Sequence, residues 1–102
     1  MSETKFEKQG STLIVQPKGR LDTATSPVLG KEITAHLDGI QNVVLDLQDV
    51  AYTSSGGIRM MLEIEQLLDD RGGKLTVCHV NDYILDVFNM VGFMSVVEVI
   101  RE

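Results

Sequence analysis

The sequence predicts a single mixed α/β domain in which an N-terminal antiparallel hairpin is followed by parallel strands and crossover helices. Three observations carry that reading. Short β-branched apolar runs alternate with segments of roughly 10–17 residues whose apolar positions recur at helical spacing, and strands joined this way pair in parallel through right-handed crossovers. The 102 residues are 43% hydrophobic and 24% charged, which supplies one packed core and lies far from the composition of disordered chains. No internal repeat, low-complexity tract or linker interrupts the chain, so residues 1–102 read as one domain.

Taken in order, Lys5 to Lys8 and Thr12 to Gln16 are two strands around the turn Gln9-Gly10-Ser11, with Pro17 and Gly19 closing the second. Ser26 stands as the cap of a helix that Pro27 opens. Leu29, Ile33, Leu37 and Ile40 give that helix one apolar face, ending near Gly39. Val43 to Leu47 reads Val-Val-Leu-Asp-Leu, a central strand expected to be covered on both faces. A second helix starts at the serines Ser54 and Ser55; Ile58, Met61, Leu62 or Ile64, and Leu68 form its stripe, and Gly72-Gly73 stop it. Leu75 to Val80 is a third buried strand. Asn81 then caps a helix whose apolar face is Ile84, Val87, Phe88 and Val91, with Gly92 as its left-handed C-terminal residue. Val96 to Ile100 gives the last strand.

Charge and cysteine content narrow the function classes. Nine Lys and Arg against fifteen Asp and Glu leave a net charge of −6, the wrong sign for binding a phosphate backbone or an anionic bilayer. No apolar run reaches the length of a spanning helix, and Met1 to Gly10 is polar with no apolar signal core, so a cytoplasmic protein is expected. Cys78 is the single cysteine and cannot form an internal disulfide; with His36 and His79 it makes no cluster of recognisable metal spacing. Neither a metal nor an organic cofactor is expected.

The topology points to a site without any motif, because loops leaving parallel strands gather at one edge of an open α/β sheet. Those loops are Gly19 to Ser26, Asp49 to Gly57 and His79 to Asp82. The middle one carries Thr53-Ser54-Ser55-Gly56-Gly57. Its plainest role is capping, since a serine oxygen accepts from the free amides of a first helical turn. Neither the lysine-bearing P-loop spacing nor Gly-x-Gly-x-x-Gly occurs, so nucleotide binding lacks support. A nucleophilic serine lacks the Gly-x-Ser-x-Gly elbow and a placeable base. A phosphoacceptor fits better, because an exposed serine at a helix N-terminus can carry a dianion that the dipole tolerates. Asp22, in a turn-rich loop, reads as a local backbone acceptor, and Asp46, inside an apolar strand, as a paired or edge carboxylate. Cys78 reads as a small buried hydrophobe, the methionines at 60, 61, 90 and 94 as core or rim filler, and Glu63, Glu65, Asp69 and Asp70 as a solvated helix face.

Three segments then stand out together: Gly19-Arg20-Leu21-Asp22, Val44-Leu45-Asp46-Leu47 leading through Val50 and Tyr52 into Ser54-Ser55-Gly56, and Val87-Phe88-Asn89-Met90-Val91-Gly92-Phe93. In this order and spacing, over nearly the whole chain, they resemble the anti-sigma factor antagonist family, whose fold is the STAS domain. The resemblance implies a bacterial phosphoprotein of transcription regulation and not an enzyme. The unphosphorylated form would bind an anti-sigma factor that is also a serine kinase and so free a sigma factor. Phosphorylation would end the binding and a phosphatase would restore it. The family pattern Asp-Ser-Ser/Thr-Gly implies Ser54 as acceptor, with Asp22, Thr53, Ser55, Gly56 and Gly57 beside it at the partner surface. Thr53 stands where the family has the aspartate, and Gly57 where an apolar residue is usual. The alternative is an unswitched STAS adaptor subunit of a transport ATPase, in which the same serines only cap the helix.

Overall fold

The computed structural model describes residues 4–100; within the polar stretch Met1 to Gly10, residues 1–3 lie outside that range. The chain runs β1 (Lys5–Gln9), β2 (Thr12–Gln16), β3 (Lys18–Leu21), α1 (Ser26–Ala35), β4 (Asn42–Asp46), β5 (Asp49–Thr53), α2 (Ser55–Asp69), β6 (Leu75–Cys78), α3 (Asp82–Val91), a 3-10 turn (Phe93–Ser95) and β7 (Glu98–Ile100). The main sheet has the order β1-β2-β4-β6-β7, antiparallel between β1 and β2 and parallel elsewhere. That is the expected mixed α/β domain. Among the described residues no helix is long and apolar enough to cross a membrane.

The core follows from strand alternation. Leu13 and Val15, Val43 and Leu45, and Leu75 and Val77 lie in register on neighbouring strands and are buried, because alternate residues of a strand share a face. They meet the apolar stripes of the helices, where Leu29 and Ile33 of α1 and Met61, Ile64 and Leu68 of α2 are buried. The opposite face of the sheet is only half covered: Ile14, Val44 and Thr76 are of intermediate exposure. The expectation that Val43 to Leu47 is covered on both faces is therefore corrected. The run is apolar except for Asp46, yet the helices shield one side.

Three local differences have physical causes. Segments expected as loops form a second, two-stranded parallel sheet, β3 with β5, whose register slips between Gly19 and Arg20. The α1 cap is not Ser26 but Thr25, and Ser26 lies inside the first turn with its hydroxyl buried and without a partner among the described residues. Asp22 does the local bonding instead, accepting from the Ala24 and Thr25 amides at 3.0 and 2.9 Å. Helix α1 also ends at Ala35, and Leu37 and Ile40 stay buried in the turns beyond it. At the other end Gly92 does adopt the left-handed conformation, φ 70°, which reverses the chain and lets Phe93 stack on Phe88 at 4.2 Å between ring centroids.

Candidate functional site

The head of α2 is built by contacts among all three loops expected at the edge. The Ser54 amide donates to the Leu21 carbonyl at 2.9 Å, which ties the end of β5 to the end of β3. Asn81 joins them from the third loop. Its carboxamide oxygen accepts from the Ile84 amide as the α3 cap at 2.8 Å, and its Nδ2 donates to the Val50 and Ala51 carbonyls at 3.4 and 3.3 Å. A Cβ on Gly56 would stand 2.9 Å from Thr23 Cα, so the loop before α1 is pressed against the first turn of α2.

Within the motif the five residues take different roles. Thr53 is buried, 2% exposed, and its hydroxyl donates toward the carbonyls of Leu21 and Ser54 at 3.2 and 3.3 Å. Gly57 is buried beneath it: a Cβ there would meet Thr53 Oγ1 and the Leu21 carbonyl. These two residues are buried and pack against each other beneath the head of α2. Ser54 is the N-cap of α2, its Oγ accepting from the Gly56 amide at 3.2 Å. Ser55 is exposed and its Oγ has no hydrogen-bond partner among the described residues.

Ser55 also stands where two grooves meet. One, of about 630 Å³, runs between α2 and α3 past Ser54, Ser55, Ile58, Leu62, Tyr83 and Val87. The other, of about 840 Å³, runs between α1 and α2 and is lined by Thr23, Ser26, Gly30, Ser55, Met60 and Leu67, with Arg59 reaching both. A hydroxyl at that junction can be reached by a partner lying along either groove.

Sequence reading overlooked the aromatic rim. The Arg20 guanidinium sits 4.9 Å above the Tyr52 ring, and Tyr52 stacks on Tyr83 at 5.8 Å, linking β3, β5 and α3 across the edge. Arg20 also pairs with Asp22 at 3.5 Å. The Thr25 amide is the main cause holding the Asp22 carboxyl below its ordinary range, with smaller help from Ala24 and Arg20. Asp22 is thus a clasp for the loop beside the site. Only the aromatic identity of Tyr52 and Tyr83 could have signalled the rim, and nothing in their spacing does.

Neither histidine serves the serines. His36 Nδ1 lies 2.7 Å from the Glu32 carbonyl and its ring stacks on Phe6, while His79 Nδ1 lies 2.9 Å from Asp46 Oδ1. Spacing hid this second cluster, because Asp46 is 33 residues from His79. Burial pushes the Asp46 pKa up, but the Gln48 amide and the side chains of His79 and Gln16 outweigh it and hold the carboxyl below its ordinary value. Burial, then the Asp46 charge, pushes the Cys78 thiol up, in keeping with a buried, unreactive cysteine.

Comparison with known proteins agrees with the geometry. The STAS domain profile matches residues 3–102. BtrV of Bordetella bronchiseptica, whose name assigns it as an anti-sigma factor antagonist, is 33% identical over 92 residues, spanning 89% of this chain and 79% of that protein. Among solved structures, an anti-sigma factor antagonist from Mycobacterium paratuberculosis superposes with a TM-score of 0.86 at 20% identity, over 100% of this chain and 87% of that one. The Bacillus cell fate determinant SpoIIAA in its phosphorylated form superposes with a TM-score of 0.73 at 14% identity, over 94% and 89%. The chain belongs to the STAS domain family, among the anti-sigma factor antagonists.

Proposed function

We propose that this chain works by partner switching: its unphosphorylated form docks on an anti-sigma factor with serine-kinase activity, and a phosphate on the serine pair at the head of α2 ends the docking until a phosphatase removes it. It acts as a regulator and not as a catalyst. The observation that carries the reading is an exposed hydroxyl, without a hydrogen-bond partner among the described residues, at the junction of two apolar grooves, on a helix N-terminus whose dipole accommodates added negative charge.

The pair divides its labour. In the register implied by the resemblance Ser54 is the acceptor, but its Oγ already caps the helix. Thr53 then falls on the family aspartate, where a carboxylate would be buried against the Leu21 carbonyl. Sliding the pattern by one residue places Ser54 on the aspartate and Ser55 on the acceptor, Gly57 on the glycine and Ile58 on the apolar position. The departures move to Ser54 and Gly56. Serine for aspartate at an N-cap is a like-for-like exchange, so Ser55 is the acceptor in this reading and Ser54 its structural neighbour.

A phosphate adds roughly −1.5 to −2 charges. In the free domain it stays hydrated. Pressed against a partner it must be desolvated, and a mismatched buried charge at an interface typically costs about 2–5 kcal/mol, or about 30- to several-thousand-fold in affinity. The test incubates the chain with its cognate kinase and ATP, maps the phosphate by mass spectrometry, and measures partner affinity before and after. Phosphate on Ser55, lost in Ser55→Ala and kept in Ser54→Ala, with weakened binding is the expected result. The converse pattern returns the acceptor to Ser54. Equal affinity with and without phosphate defeats the switch and favours an unswitched adaptor.

A further inference from the structure

On the half-covered face of the main sheet, away from the serine pair, a row of donor atoms crosses the carboxyl ends of three strands. Asp46 of β4 is in register with Cys78 of β6. Gln16 of β2 reaches Asp46 from the other side, Nε2 donating to Oδ2 at 2.8 Å. His79 follows β6 at φ 57°, a left-handed conformation uncommon for a side-chain-bearing residue, and from there its Nδ1 lies 2.9 Å from Asp46 Oδ1 and 3.5 Å from Cys78 Sγ. One carboxylate oxygen, one sulfur and one imidazole nitrogen thus lie within 4.8 Å of one another.

We propose that Asp46, Cys78 and His79 form a binding site for a thiophilic divalent cation of the zinc class, with the fourth position open to solvent. The spacing suits a tetrahedral ion: bond lengths of about 2.3 Å to sulfur and about 2.0 Å to nitrogen set those two ligands about 3.5 Å apart, the separation observed here. Nitrogen and oxygen must move apart by about 0.4 Å, and sulfur and oxygen, which lie within 4.8 Å of each other, must come to about 3.5 Å. The mixed sulfur, nitrogen and oxygen set selects zinc-like ions over magnesium or calcium, which prefer all-oxygen shells. Gln16 serves as the outer hydrogen bond that orients the ligating carboxylate. Asp46 and Cys78 are buried, while the His79 side chain is 44% exposed, which leaves an entry path on the imidazole side. On binding, the neutral imidazole carries its proton on Nε2 and ligates through Nδ1, and the thiol releases its proton to solvent. The thiolate and carboxylate then balance the two charges of the ion.

The experiment titrates the reduced full chain with Co²⁺ and Zn²⁺. One equivalent of Co²⁺ should give a thiolate-to-metal charge-transfer band and the visible bands of four-coordinate cobalt, and Zn²⁺ should raise Tm where Mg²⁺ does not. Cys78→Ser should abolish the charge-transfer band, and Asp46→Asn and His79→Gly should abolish stoichiometric binding. Glycine suits the positive φ at position 79, so His79→Gly keeps the fold, which circular dichroism verifies. Gln16→Ala should weaken binding about tenfold. Absence of the charge-transfer band, or a Zn²⁺-dependent rise in Tm that survives His79→Gly and Asp46→Asn, overturns the proposal.

Discussion

The main sheet and the two-stranded sheet β3–β5 are made of the same chain but stabilised differently. In the main sheet, register lines up Leu13, Val43 and Leu75 in one row across three strands and Val15, Leu45 and Val77 in another, and the helices cover that face. In the smaller sheet Leu21, Val50 and Thr53 are buried while Lys18, Gly19, Arg20, Asp49 and Ala51 are exposed. Leu21 and Val50 join the shared core, and polar contacts fasten the strand ends: Ser54 N–H and Thr53 Oγ1 to the Leu21 carbonyl, and Asn81 to Val50 and Ala51. The first region can lose a contact and remain recognisably itself, whereas the second is fixed by a few directional bonds around two glycines. A site on the second can be reshaped by small chemical changes without disturbing the first.

The largest effect should come from the main sheet. Leu45→Ala leaves a cavity at a residue 1% exposed and should cost about 2–5 kcal/mol in urea unfolding. Partner affinity of the molecules that remain folded should not change. A loss of affinity beyond the loss of folded protein would show that the two regions are coupled.

Thr53→Asp probes the smaller sheet and should cost about 3 kcal/mol at pH 7, because the carboxylate would be buried against carbonyl oxygens with no donor. Burial raises the pKa of such an acid in the folded state. Its penalty is therefore present above that raised pKa and fades as pH falls toward the unfolded value. Thermal melts of the variant and the wild type should converge in acid. A variant as stable as wild type at pH 7 would show that position 53 accommodates the family aspartate after all.

Asp46 behaves with the opposite sign, being held below its ordinary 3.8 in the folded state against the push of burial. Its contribution is fully present above about pH 4 and is lost as pH falls through the depressed folded pKa. Asp46→Asn should thus flatten the acid limb of the stability profile. An unchanged limb would assign acid unfolding to other carboxylates.

These regions also differ in how legible they were. Alternating apolar strands, the Asn81 cap and the Gly92 terminus are local signals, and the structure has them within a few residues of the expected places. The smaller sheet was missed because Lys18–Leu21 and Asp49–Thr53 carry no periodic apolar pattern, and their pairing is decided by partners 31 or 32 residues apart. The Ser26 cap failed because the helix starts one residue earlier: the Leu29 amide that a Ser26 cap would serve donates to the Thr25 carbonyl. In the site, the serines and glycines were visible but their division of labour was not: which hydroxyl caps and which is free depends on where α2 starts relative to Leu21. The Asp46, Cys78 and His79 cluster was invisible for the same reason, since strand register and not spacing assembles it.

The smallest stability effects belong to the serine pair, and there the comparison is sharpest. Ser54→Ala removes the bond to the Gly56 amide and should cost about 1 kcal/mol, while Ser54→Asp, which caps as well, should cost almost nothing. Ser55→Ala removes an exposed hydroxyl with no partner among the described residues, so its melting curve should match wild type within about 0.5 kcal/mol. Yet Ser55→Ala should abolish phosphate incorporation by the cognate kinase, and Ser54→Ala should leave it in place. Measured together, the four numbers separate cap from acceptor: stability falls where phosphorylation survives, and phosphorylation is lost where stability is untouched. If Ser54→Ala loses both, cap and acceptor are one residue, and the hydroxyl that is modified is also the one that starts the helix. Phosphorylation would then exchange the Ser54 hydroxyl for a phosphate oxygen at the Gly56 amide, and the phosphorylated protein should melt no lower than the unmodified one, because a dianion at a helix N-terminus gains about 0.3–1 kcal/mol from the dipole.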